Sequence, residues 1–153
     1  MMIMVSRAKN LSVPCSVKQV RVVKECLREL LEGQNVDEEE LFNLQLVIDE
    51  AVINAIDHGS ANNMQMNVDI NFVLEDAYLT ITVKDFGGKA FNPEFFERIA
   101  AKKNWGKGGR GIFLIKQFMD EVRYIFSPGV STLLSMSKKL TINNENSADM
   151  INN

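Results

Sequence analysis

The chain carries two cysteines, one histidine, one tryptophan and three prolines. Cys15 and Cys26 stand outside any CxxC or Cys/His metal spacing, which argues against a zinc site and against a disulfide framework. No apolar run approaches the ~20 residues a membrane helix needs. Met1 to Val5 is too short for a signal-peptide core and has neither a basic leader nor a small-residue cleavage site, so a cytoplasmic protein with no membrane partner is expected. A basic excess is missing too. With 17 Lys and Arg against 20 Asp and Glu, the net charge of -3 speaks against a general nucleic-acid binder.

What is present fits one folded domain. Hydrophobic residues make up 46% and charged residues 24% of 153 positions, an ordinary soluble composition. A chain of this length can bury roughly two-thirds of the surface its unfolded form exposes. Residues 2–13 mix β-branched and polar side chains up to Pro14 and read as an edge strand. Ser16 reads as an N-cap for a helix over Val17 to Leu31, with apolar residues at Val20, Val23, Leu27, Leu30 and Leu31, and Gly33 as its stop. Asp37 caps a second helix whose stripe is Leu41, Leu44, Ile48, Val52 and Ala55, ending near His58-Gly59.

Met66 to Leu74 and Ala77 to Lys84 alternate apolar and polar residues around Glu75-Asp76, as a hairpin does. After Asp85-Phe-Gly87-Gly88 come a loop, a short helix within Pro93 to Lys103, and a glycine turn leading to a third helix, Ile112 to Met119. Val122 to Phe126 and Val130 to Ser137 form a second hairpin around Ser127-Pro128-Gly129. This order predicts an α+β two-layer sandwich, a mixed and mainly antiparallel sheet covered on one face by three helices. The domain is expected to occupy 1–140, and the Asn-rich 141–153 to be a disordered tail.

The second helix carries unexpected polar groups. At 100° per residue, Glu50, Asn54, Asp57 and His58 share an arc of about 100°, roughly opposite the apolar stripe. One face packs while the other offers oxygen ligands and a base; alone, this pattern equally describes a solvated helix surface. Gly108-Gly109-Arg110-Gly111 before a helix offers free N–H groups and a positive dipole end to an anion, where a plain flexible turn is the simpler alternative. Asp85-x-Gly87 after a buried strand is either a turn or a ligand site. The three together point to a site.

Glu50-Ala-Val-Ile-Asn54-Ala-Ile-Asp-His58-Gly59 resembles the N box of the GHKL ATPases, and Gly108 to Val122 resembles their second glycine box, most nearly that of the anti-sigma factor serine/threonine kinases. The resemblance spans about residues 5–140 and implies the Bergerat ATP-binding fold. It further implies Glu50 as general base, Asn54 as Mg2+ ligand and Asp85 as acceptor for the adenine amino group. Asp57, Gly87, Lys107, Gly108, Gly109, Arg110, Gly111 and Ile112 fall at positions implied to line the ATP site. The first glycine box departs from Asp-x-Gly-x-Gly-Phe, with Lys89 where a second glycine is expected. Lys102, Lys103, Lys107 and Arg110 are either solvated lid residues or countercharge to phosphates.

The partners implied are a STAS-type anti-anti-sigma protein, a sigma factor and a second copy of the chain, with no nucleic acid. Two functions fit: a kinase phosphorylating that antagonist, or a non-catalytic ATP-binding switch that sequesters a protein. A histidine-kinase catalytic fragment ranks below both.

Overall fold

The computed structural model describes residues 6–59, 65–87 and 107–143. Five strands form one sheet: β1 Ser6–Pro14, β2 Asn67–Glu75, β3 Tyr78–Asp85, β4 Glu121–Ser127 and β5 Ser131–Lys139, in the spatial order β1-β2-β3-β5-β4. Every pairing is antiparallel, so the described sheet has no parallel component where a mixed one was expected. Period-2 alternation sets the register. Val68, Ile70, Phe72 and Leu74 of β2 are buried and pair on one face with the buried Asp85, Val83, Ile81 and Leu79 of β3.

Three helices supply the other half of the core: α1 Val20–Leu30, α2 Glu38–Asn54 and α3 Lys107–Phe118. None of the described helices is long and apolar enough to cross a membrane. A 3-10 turn, Val17–Gln19, precedes α1, and Ser16 caps it without a side-chain hydrogen bond, unlike the role expected of it. Gly33 stops the segment at φ +82, a conformation that strains residues with a Cβ. Arg7 reaches from β1 to donate to the backbone oxygens of Leu30 and Glu32, satisfying carbonyls left open at the end of α1. Asp37 caps α2 as expected, its carboxylate accepting from the N–H of Glu40.

α2 is the central element. Leu44, Val47, Ile48, Ala51 and Val52 are buried, a wider arc than the stripe read from sequence, because α1 and α3 pack on it and it shares one core with the inward residues of the sheet. Its α geometry ends at Asn54 and passes into a π turn, Ala55–Gly59. Residues 141–143, expected to belong to the tail, are held against the domain. Val36 bridges Ile142, the N–H of Asp37 donates to Thr141 O at 3.1 Å, and that of Thr141 donates to Glu40 Oε2 at 2.9 Å. The remainder, 144–153, lies outside the described residues, as does the short helix expected within 93–103.

Candidate functional site

Three pieces of backbone meet at one end of the molecule: the C-terminal half of α2 with its π turn, the end of β3, and the first turns of α3. The π turn packs against β3, and α3 packs along α2. The sequence placed Glu50, Asn54, Asp85 and the glycine box in three separate segments; the fold brings them to this junction.

Glu50 and Asn54 are one turn apart on α2, about 6 Å along the axis, and both are half-buried. They face α3 rather than open solvent. A Cβ placed on Gly111 would lie 2.7 Å from Glu50 Oε2 and 3.0 Å from Asn54 Nδ2. Asp57 is half-buried in the π turn, where the chain has left the α-helical path, so the 100° projection that grouped it with Asn54 does not extend to it. The side chain of His58 lies outside the described residues.

The glycine box differs from the expected turn. Lys107 to Gly111 already belong to α3, which starts five residues before Ile112. Glycine inside a helix costs roughly 1 kcal/mol relative to alanine. A packing reason for one of these glycines is plain: Gly111 is buried against Glu50 and Asn54. The N–H groups of Lys107, Gly108 and Gly109 have no intrahelical acceptor, and with the helix dipole they favour an anion there. The side chains of Lys107 and Arg110 lie outside the described residues, as do Lys89, Lys102 and Lys103. The side chain of Ile112 is fully buried, so at this position only the backbone can face a nucleotide.

Asp85 closes β3. It is 5% exposed, and its Oδ1 accepts from the N–H of Gly87 at 3.2 Å. Burial pushes its carboxyl above the ordinary aspartate range, and the Gly87 hydrogen bond only partly offsets this. A buried carboxylate with so little compensation carries a standing cost unless something donates to it.

One further residue escaped the sequence reading. Thr132 is the cross-strand partner of Asp85, 8% exposed, with an Oγ1 that has no hydrogen-bond partner among the described residues. Directly opposed residues share a face and stand about 5 Å apart. Thr132 occupies an inward position that Leu134 and Met136 continue along β5. A hydroxyl in that apolar register was the available signal, but it gained meaning only once β5 was known to pair with β3.

The residues suit a magnesium nucleotide. Asp85 and Thr132 give a buried polar pair for a heterocycle that presents both donors and acceptors. The α3 N-terminus favours phosphate, and the Asn54 amide oxygen is a hard neutral ligand suited to Mg2+ that phosphate oxygens already partly surround. Among the described residues no cluster of three or more His, Cys, Asp and Glu could hold a metal ion.

The family model described as "Histidine kinase-like ATPase domain" matches residues 13–138. The "Anti-sigma F factor" of Bacillus thuringiensis and that of Bacillus cytotoxicus are each 33% identical over 108 residues, covering 69% of this chain and 74% of theirs. Among solved structures, a chain of the SiaB-SiaC complex from Pseudomonas aeruginosa superimposes with a TM-score of 0.65 at 13% identity, over 84% of this chain and 88% of that one. The RsbU and RsbW domains of a Mycobacterium tuberculosis protein give 0.63 at 18% identity, over 88% of this chain and 32% of that one. These two share the fold. The buried Asp85, the α2 carboxylate-amide pair and the glycine-started α3 thus sit in a known frame, and the chain belongs to the histidine kinase-like ATPase domain family.

Proposed function

We propose that this chain is an ATP-dependent serine/threonine protein kinase that acts as an anti-sigma factor and phosphorylates a STAS-type antagonist of that activity. The observation that carries the reading is the meeting of Glu50 and Asn54 with the head of α3 at Gly111. A phosphate held by the first N–H groups of α3 would lie beside a carboxylate and an amide of α2. The name anti-sigma F factor, borne by relatives that match over most of their length, supports the biological role.

Each residue has a distinct task. Asp85, with Thr132 beside it, recognises adenine: a carboxylate accepts from the adenine amino group, whereas guanine presents a carbonyl there. Asn54 holds Mg2+, which when bound neutralises phosphate charge. The α3 N–H groups hold the phosphates. Glu50 takes the proton of the attacking serine or threonine hydroxyl. That oxygen bonds to the γ-phosphorus while the bond from phosphorus to the β,γ-bridging oxygen breaks and ADP leaves.

Glu50→Gln tests the proposal, since it keeps the shape of the side chain and removes its basicity. A positioned base contributes typically about 10²- to 10⁴-fold. Single-turnover transfer from labelled ATP to a STAS protein captured with the native chain should slow at least ~100-fold, with ATP affinity retained. Transfer at the wild-type rate would remove Glu50 from this role, and Asp57 would be the next carboxylate to examine. No transfer by the wild type, with ATP still changing partner affinity, would replace the kinase with a nucleotide-controlled binding module.

A further inference from the structure

The glycines of such a box are ordinarily explained by the close approach of phosphate to backbone. At Gly111 the space is already taken from within the protein. The atoms nearest to where its Cβ would stand are Glu50 Oε2 at 2.7 Å, Asn54 Nδ2 at 3.0 Å and Glu50 Cβ at 3.5 Å. The first two are the functional ends of the two α2 side chains, and no backbone atom is among the three. Gly111 is also the fifth residue of α3, beyond the first-turn N–H groups that a helix leaves free for an anion.

We propose that Gly111 is a positioning residue: its missing side chain forms the seat in which the Glu50 carboxylate and the Asn54 amide are aligned, and it makes no phosphate contact of its own. The catalytic part of this inference rests on Glu50 being the general base. The seat also links phosphate binding to the chemistry, because the helix whose first turn holds the anion fixes the base and the metal ligand through its second turn. The forgone helix propensity, about 1 kcal/mol, is the cost of that alignment.

The physics makes an unusual prediction for Gly111→Ala. Ordinary contact begins near 3.4 Å, so Glu50 Oε2 has to withdraw by about 0.7 Å. It is the far end of a flexible side chain rather than a backbone atom, so it can move without shifting the backbone. The fold therefore tolerates the methyl group, and the damage falls on alignment, where a displacement of about 1 Å can cost on the order of 100-fold in rate.

The experiment is a double-mutant cycle of Gly111→Ala and Glu50→Asp, read by thermal melting, by Mg-free ADP affinity, by the gain in ATP affinity on adding Mg2+, and by single-turnover transfer. Glu50→Asp draws the carboxylate back by one methylene and vacates the seat. In the wild-type background, Gly111→Ala should melt no lower and up to about 4 °C higher, leave Mg-free ADP affinity nearly unchanged, reduce the Mg-dependent gain, and slow transfer about 100-fold. In the Glu50→Asp background it should slow transfer by markedly less, because the 2.7 Å contact is gone and only the 3.0 Å approach to Asn54 remains. Equal slowing in both backgrounds, a large loss of Mg-free ADP affinity, or a variant that fails to fold would overturn the proposal. If neither the wild type nor any variant transfers phosphate, loss of the Mg-dependent gain on Gly111→Ala still supports the seat and counts against the kinase reading, whereas an unchanged gain overturns the seat.

Discussion

Replacing Asp85 with asparagine sets the stability of the empty protein against its affinity for adenine. The carboxyl is 5% exposed, has one N–H partner among the described residues, at 3.2 Å, and titrates above the ordinary 3.8 of an aspartate because it is buried. Asparagine keeps the size and can still accept from Gly87, but carries no charge to desolvate. An incompletely satisfied buried polar group costs about 1–3 kcal/mol, and each kcal/mol moves the melting temperature of a chain this long by about 2–4 °C. Without ligand at pH 7, Asp85→Asn should therefore melt at least ~2 °C higher than wild type.

The pH dependence has a definite sign. A carboxyl raised in the folded state contributes stability that is fully present below its unfolded value and is lost as pH rises through the folded value. The advantage of asparagine should vanish near pH 3 and grow as the pH climbs past the raised Asp85 value. Adenine affinity should move the other way: losing a hydrogen bond to a charged acceptor costs about 1.5–3 kcal/mol, or about 10- to 150-fold. Calorimetric titration with ADP and GDP, paired with melting curves from pH 3 to 8, checks both halves. A variant that binds ADP as tightly as wild type, or that melts lower at pH 7, would refute the assignment.

Two further outcomes follow from the geometry. Asn54→Ala should abolish most of the Mg-dependent gain in ATP affinity while leaving Mg-free binding intact, measured by titration with and without the metal; an unchanged Mg dependence would make Asn54 a packing residue. Glu40→Ala should destabilise the domain by about 1.5–3 kcal/mol in denaturant, because the carboxylate is buried, accepts from the Thr141 N–H and lies 3.6 Å from Lys138 Nζ. Hydrogen exchange at Thr141 should quicken in the same variant, and unchanged protection would show that the segment after β5 is held elsewhere.

Local chemistry made the elements legible from sequence. Alternation in Val68-x-Ile70-x-Phe72 and Leu79-x-Ile81-x-Val83 marks strands whatever surrounds them, since successive side chains must point to opposite faces. Asp37 and Gly33 act within a few residues of themselves, as a side-chain acceptor and as a backbone able to take positive φ. The carboxylate-amide pair of α2 was visible because helical spacing puts positions 50 and 54 on one face.

Long-range packing decided the rest. That the 50/54 face meets α3 rather than water depends on a contact between residues some sixty positions apart, and so does the requirement for glycine at 111. Thr132 acquired a role only through its pairing with Asp85, which the spatial order β3-β5-β4 brings about by inserting β5 between two strands that are consecutive in sequence. The first glycines looked like a turn because their propensity argues against helix, yet they continue α3, where tertiary contact with α2 outweighs a local preference of about 1 kcal/mol per residue. Thr141 to Asn143 looked like tail because polar residues bury little surface, and they are held instead by backbone hydrogen bonds to Asn35 and Asp37, which composition does not reveal.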